Sequence, residues 1–156
     1  MLQQRVIKME KLSEFVGTDV YCDGKKIGRI TDFYISPRKK EITGFSGLTT
    51  SGLIRNEFFV TCGGILHIDK NGCVIDSKKL FLKEKYIEEY GEMPVFSSGV
   101  FSDNSIGDIY FEPESLKMEK ISIKKSFFDD IIFGRETVDI NEVSISKKGI
   151  IKMEEK

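Results

Sequence analysis

The chain has no tryptophan, one histidine, three prolines and three cysteines in 156 residues. Each scarcity removes a class of function. A single histidine, His67, without any Cys-x-x-Cys pair leaves too few ligands for a tetrahedral zinc site. Cys22, Cys62 and Cys73 are odd in number and show no paired spacing. That points away from a disulfide framework and toward a reducing, cytoplasmic compartment. No apolar run approaches the roughly 18 residues that a membrane helix needs. Met1 to Glu10 is polar apart from Val6 and Ile7, so no signal-type apolar core is expected. The formal net charge of −1 argues against a dedicated nucleic-acid binder. No cofactor, metal or membrane span is expected.

What the chain does have is repetition. Val20-Tyr21-Cys22-Asp23-Gly24 reappears as Val95-Phe96-Ser97-Ser98-Gly99. Ile30 and Asp32-Phe33-Tyr34-Ile35-Ser36-Pro37 reappear as Ile106 and Asp108-Ile109-Tyr110-Phe111-Glu112-Pro113. Val60-Thr61-Cys62-Gly63-Gly64-Ile65 reappears as Val138-Asp139-Ile140-Asn141-Glu142-Val143. The offset drifts slightly along the chain, as short loop insertions would make it. Two copies of one unit are therefore expected, each near the lower size limit for an independent core. Charge divides unevenly between them. Residues 1–80 hold 13 lysines and arginines against 9 acids, whereas residues 81–156 hold 11 against 16. Such asymmetry either orients the halves against each other or reflects two ordinary solvated surfaces.

Within each copy the pattern is that of short strands. Asp19 to Cys22 runs into Asp23-Gly24, a dipeptide suited to a tight hairpin. From Thr31 to Ser36 the side chains alternate, with Thr31, Phe33 and Ile35 on one face and Asp32, Tyr34 and Ser36 on the other. The second copy keeps the phase: Ile109 and Phe111 inward, Asp108, Tyr110 and Glu112 outward. Pro37 and Pro113 end these strands. Gly28 aligns with Asn104, and a bulge is expected there. Strands follow at Glu41 to Leu48 and Met118 to Lys124, then at Glu57 to Thr61 and Glu136 to Ile140. Each copy closes with a hairpin, one around Asn71-Gly72 and one around Lys148-Gly149. Ser13 is positioned to cap one helical turn over Glu14-Phe15-Val16, closed by Gly17. Between the copies, a strand to Leu82 gives way to a short helix carrying Tyr86, Ile87 and Tyr90, which Gly91 stops.

The order Val-Tyr-x-Asp-Gly, Ile-Gly-x-Ile-x-Asp-Phe-Tyr-Ile-Ser-Pro, strand, and apolar hairpin ending in a turn glycine resembles the PRC-barrel domain. That small β-barrel is named after the photosynthetic reaction-centre H subunit. Residues 11–77 carry the resemblance well and residues 90–153 more loosely, with Asp103-Asn104 standing where the first copy has Ile27-Gly28. The resemblance implies an all-β fold of two tandem, mainly antiparallel barrels joined by a short linker helix. The units are residues 1–80 (1–9 an N-terminal arm), a linker at 81–90, and residues 91–156. It also implies a non-catalytic module. Family members include the reaction-centre subunit's soluble part, the protein-binding half of a ribosome-maturation factor, and small bacterial proteins linked to sporulation. No catalytic residues come with the family.

The candidates for chemistry are few. His67 alternates with Leu66 and Ile68 in a strand and faces outward, as an ordinary surface histidine does. The three cysteines fall in strand patterns. Cys62 aligns with Ile140 and Cys73 with Ile150, so a packing role is expected for them. Asp129, Asp130, Glu136 and Asp139 make an acidic patch, and Asp69-Lys70-Asn71-Gly72 imitates the start of a calcium loop without its distal glutamate. The aromatic content is unusual, with 12 phenylalanines. Phe58-Phe59 and Phe127-Phe128 are adjacent pairs, and neighbours in a strand point to opposite faces. One ring of each pair must leave its own barrel, which makes these four residues the candidate interface, between barrels or with a partner protein. A second reading takes Lys25, Lys26, Arg29, Arg38, Lys39 and Lys40 as one basic edge touching RNA phosphates. The function expected is a protein-binding adaptor, with ties to ribosome assembly, RNA processing or sporulation implied by resemblance alone.

Overall fold

Two residues with positive φ, Asp23 (51°) and Gly24 (78°), turn β2 (Asp19–Cys22) tightly into β3 (Lys25–Ser36). Both central residues being left-handed is the hairpin geometry whose twist matches its strands. The computed structural model describes residues 9–50, 56–90, 105–124, 136–145 and 151–153. Ahead of this hairpin lie β1 (Glu10–Lys11) and a 3₁₀ turn over Leu12–Phe15. After it come β4 (Glu41–Thr49), β5 (Glu57–Thr61), β6 (Ile65–Asp69), β7 (Gly72–Ile75), β8 (Leu80–Leu82) and helix α1 (Lys83–Tyr90). The remaining strands are β9 (Ser105–Phe111), β10 (Met118–Lys124), β11 (Glu136–Asp139), β12 (Val143–Ile145) and β13 (Ile151–Met153).

Seven strands form one sheet in the order β6-β7-β2-β3-β4-β5-β8. Its pairs are antiparallel except for β2 against β7. A second sheet runs β1-β9-β10-β11, and β12 pairs β13. The all-β expectation holds, as do the strand to Leu82 and the short helix after it. Strands β3 and β9 stop before Pro37 and Pro113.

Strand β3 does not alternate evenly. Ile30 pairs with Gly47 and Asp32 with Ser46, so Thr31 is an extra, bulged residue. The bulge lets both Ile30 and Phe33 enter the core, at 1% and 0% exposure. Thr31 therefore does not share the face of Phe33 and Ile35; its hydroxyl meets that of Ser46 at 3.0 Å. The shift expected at Gly28 falls one residue earlier, where Val20 pairs Gly28 but Tyr21 pairs Lys26. Asn104 and the Lys148-Gly149 turn lie outside the described residues. The other hairpin turns at Lys70-Asn71, since Asp69 pairs Gly72. The Asp69 carboxylate accepts from the amides of Asn71 and Gly72 and so holds the turn by itself.

The two halves match in register. In the first, Phe33 pairs Phe45, which pairs Val60. In the second, Ile109 pairs Ile121, which pairs Val138. All six side chains are buried and belong to one apolar cluster with Leu12, Phe15 and Phe111. A 3₁₀ turn follows each third strand, over Cys62–Gly64 and Ile140–Glu142.

The contact between the halves is reciprocal. The Ile42 amide donates to the Leu116 carbonyl (2.8 Å), and the Met118 amide donates to the Lys40 carbonyl (3.1 Å). Lys40 and Leu116 are both left-handed, at φ 53° and 62°. The N-terminal segment also crosses over: Glu10 pairs Phe111 and Lys11 pairs Tyr110. Phe15 meets Phe111 edge-on at 5.2 Å. Ser13 does not cap its turn, for Lys11 holds that position with no side-chain bond. Ser13 instead donates both its amide and its hydroxyl to Asp108. Asp108, expected on the outward face of its strand, is covered by this turn to 6% exposure.

Candidate functional site

The Phe58-Phe59 pair behaves as strand geometry requires: one ring enters the interior and the other leaves it. Phe58 points inward, 6.4 Å from Phe45 and edge-on to it. Its ring sits over two glycines. A Cβ on Gly47 would lie 2.4 Å from the Phe58 ring, and one on Gly28 would lie 2.2 Å from the Leu48 carbonyl oxygen. Those glycines are present for close approach rather than for unusual backbone angles.

Phe59 faces the other side, with Tyr34 from β3. Helix α1 covers both. Tyr86 stacks at 5.2 Å on each of Tyr34 and Phe59, and Phe81 of β8 meets Tyr86 edge-on at 6.3 Å. Exposure is 4% at Phe58, 1% at Phe59 and 1% at Tyr86. Burial raises the Tyr34 hydroxyl well above its ordinary pKa, with Tyr86 adding to the effect. Neither ring is open to a partner chain: Phe58 lies in the core cluster, and helix α1 covers Phe59 through Tyr86. Ile87, grouped with Tyr86 in the sequence pattern, is instead 37% exposed. Phe127 and Phe128 lie outside the described residues.

The six basic residues do not form one edge. Lys25, Lys26 and Arg29 stand at the start of β3, whereas Arg38, Lys39 and Lys40 follow its end. At about 3.3 Å per residue, a strand of this length holds the groups tens of ångströms apart. Asp19 occupies two of the first group, at 3.0 Å from Lys26 and 3.3 Å from Arg29. The hydrogen bond from Lys26 holds the Asp19 carboxyl below its usual range. Lys40 reaches across to the second half and donates to the Ile140 carbonyl at 3.0 Å. A continuous phosphate-binding edge is thus not assembled from these residues.

His67 is exposed, as its phase predicts, and pairs with Asp69 at 2.8 Å. That bond, with the turn amides, lowers the Asp69 pKa. Lys70 at the tip of the same hairpin bridges Glu14 (2.7 Å) and Glu10 (3.3 Å), so the first sheet grips the N-terminal segment. Those two carboxylates raise the Lys70 pKa. Cys22 and Cys73 are buried, but Cys62 is exposed, which corrects the packing role given to it. It opens the 3₁₀ turn, where its counterpart Ile140 is 6% exposed. Burial pushes the Cys73 thiol up to about 12, and burial with Asp23 and Asp76 nearby raises Cys22. Among the described residues no three histidine, cysteine or acidic side chains converge as metal ligands. Asp139 caps its own turn through the Asn141 amide at 2.9 Å. Asp129 and Asp130 lie outside the described residues.

An open groove of about 540 Å³ runs past Val16, Gly17, Arg29, Thr31 and Leu48. Among the described residues it offers aliphatic, hydroxyl and backbone surface with the Arg29 guanidinium. Val16 and Leu48 in that lining are partly exposed, but the most exposed aliphatic side chains are elsewhere. Leu66 on β6 is 65% exposed and Leu82 on β8 is 70% exposed. Among the described residues these strands end the seven-stranded sheet, so exposed aliphatics stand at its two edges. The sequence pattern singled out rings rather than these leucines. The usable signal was position: among the described residues each sits in a strand that ends the sheet.

Compared with known proteins, residues 7–82 match the family model of the PRC-barrel domain. No curated protein matches the chain. In the described residues no helix is long and apolar enough to cross a membrane.

Proposed function

We propose, from the PRC-barrel domain at residues 7–82, that the chain is a non-catalytic protein-interaction module made of two such units. The units are residues 1–80 and 91–156, with 81–90 as the linker. The reading is of a cytoplasmic bacterial adaptor serving ribosome assembly, RNA processing or sporulation. The observation that carries it is the matched pair of hydrogen bonds joining Ile42 to Leu116 and Met118 to Lys40. Equivalent groups meeting each other twice is what two copies of one unit produce about a two-fold axis. The Phe33-Phe45-Val60 and Ile109-Ile121-Val138 ladders support the same reading. In both, the inward positions are occupied by apolar packing, which favours recognition by surface over chemistry in an interior.

The test is affinity capture from native cells with the tagged full chain, washed at rising salt. The expected result is one protein retained in near-stoichiometric amount at high salt. Recovery of RNA that leaves steeply as salt rises would replace the adaptor reading with a phosphate-contacting one.

A further inference from the structure

We infer that residues 10–15 form a detachable strap, and that two copies of this chain exchange their straps in concentrated solution to make a closed dimer. The inference does not rest on the adaptor reading. The strap is held as a bound peptide is held. Glu10 and Lys11 pair with Phe111 and Tyr110. Ser13 donates its amide and its hydroxyl to Asp108. Leu12 and Phe15 are buried, and Phe15 lies edge-on to Phe111. Lys70 reaches both Glu10 and Glu14. Phe111, Tyr110, Asp108 and Lys70 all stand far along the chain from the strap. Each of these contacts therefore keeps its geometry when the body, residue 18 onward, belongs to a second copy.

A single turn ties each strap to its own body. Val16 has φ −67° and ψ 130°, Gly17 has φ 91°, and the Thr18 amide donates to the Phe15 carbonyl at 3.2 Å. That is a type II turn, which needs a left-handed residue at its third position. Both central residues are exposed. Beyond the turn the chain is fastened to β3, where the Ile30 amide donates to the Thr18 carbonyl at 2.9 Å. Opening the turn gives up the Thr18–Phe15 bond and re-aims the Gly17 amide, which donates to the Ile30 carbonyl. The other strap contacts are remade on the second copy, and exchange in both directions fills both sites. On so short a tether a strap meets its own site at an effective concentration in the millimolar range, so the closed monomer holds in dilute solution. The formal net charge of −1 sets little repulsion against two copies meeting.

The test compares the full chain with Gly17→Val. A Cβ on Gly17 meets nothing within 4 Å, so the substitution strains the closed turn and touches no neighbour. Both proteins are unfolded in urea, refolded at concentrations from about 10 μM to about 1 mM and sized by light scattering. Monomer is expected at the dilute end and dimer at the concentrated end. A side chain held left-handed favours opening about tenfold per turn, and two turns open in each dimer, so Gly17→Val lowers the midpoint about a hundredfold. A second measurement places the contact and does not need that variant to fold. Chains carrying Glu14→Cys are refolded with chains carrying Lys70→Cys, each also Cys62→Ser, and treated with a short thiol-reactive cross-linker. The two thiols meet only where the strap of one copy lies on the body of the other, so joined chains are expected from concentrated refolding and not from dilute. Monomer at every concentration, a dimer without the cross-link, or one midpoint shared by the folded wild type and Gly17→Val would each overturn the exchange. Any of these results leaves the adaptor reading standing, since capture of a partner needs no second copy.

Discussion

Single atoms set the tightest constraints at the Phe58 ring. It rests on Gly47 and Gly28, so a methyl group at either position competes with the ring for the same volume. Gly47→Ala is expected to cost about 1–3 kcal/mol through overpacking. Phe58→Ala is expected to cost about 3–5 kcal/mol through the void it leaves. Urea unfolding midpoints check both, and a neutral Gly47→Ala would show that the ring has room to move. The cysteines give a second prediction. Cys62 is exposed while Cys22 and Cys73 are buried, so one thiol per native chain should react with a disulfide reagent and three after unfolding. The Cys73 thiol has a folded pKa raised to about 12, so above the ordinary value of 9.0 the unfolded chain loses a proton that the native chain keeps. Stability then falls as pH rises from about 9 toward 12. Cys73→Ala should flatten that slope; an unchanged slope would place its cause elsewhere.

Among the elements, helix α1 shows how far local pattern carries. Its existence was legible from the spacing of Tyr86, Ile87 and Tyr90 and its start from the strand to Leu82, and strand limits such as Asp19–Cys22, Glu57–Thr61 and Met118–Lys124 followed from alternation and breakers. What α1 covers was not legible. Tyr86 meets Tyr34 across half a domain of sequence, and no local period encodes that pairing. The same holds for Asp108, whose burial depends on Ser13, 95 residues away. Phase assigned Asp108 to the outer face correctly but could not say that another segment lies on it. Cys62 failed differently, because alignment with Ile140 conveys equivalent position and not equivalent neighbours. A helix of eight residues is too short to persist alone and depends on its docking. Tyr86→Ala should therefore destabilise the fold by about 3 kcal/mol and open residues 83–90 to limited proteolysis. Retained protease resistance there would show that other contacts seat the helix.

Across the whole molecule the halves share one apolar cluster, a crossing strand and a reciprocal hydrogen-bond pair. Such continuity predicts a single unfolding transition, with calorimetric and van't Hoff enthalpies equal. Two resolved transitions would show that the halves stand separately. Ser13→Ala removes a partner from the buried Asp108 carboxylate and should lower that single midpoint by about 1–3 kcal/mol in stability. The contact made by Ile42, Leu116, Met118 and Lys40 has the form of a dimer interface, yet both sides lie on one polypeptide. Covalent connection makes its occupancy independent of dilution, as no pair of separate chains can be. Each side can then change its exposed residues without the obligation, which binds a true homodimer, to change the other in the same way.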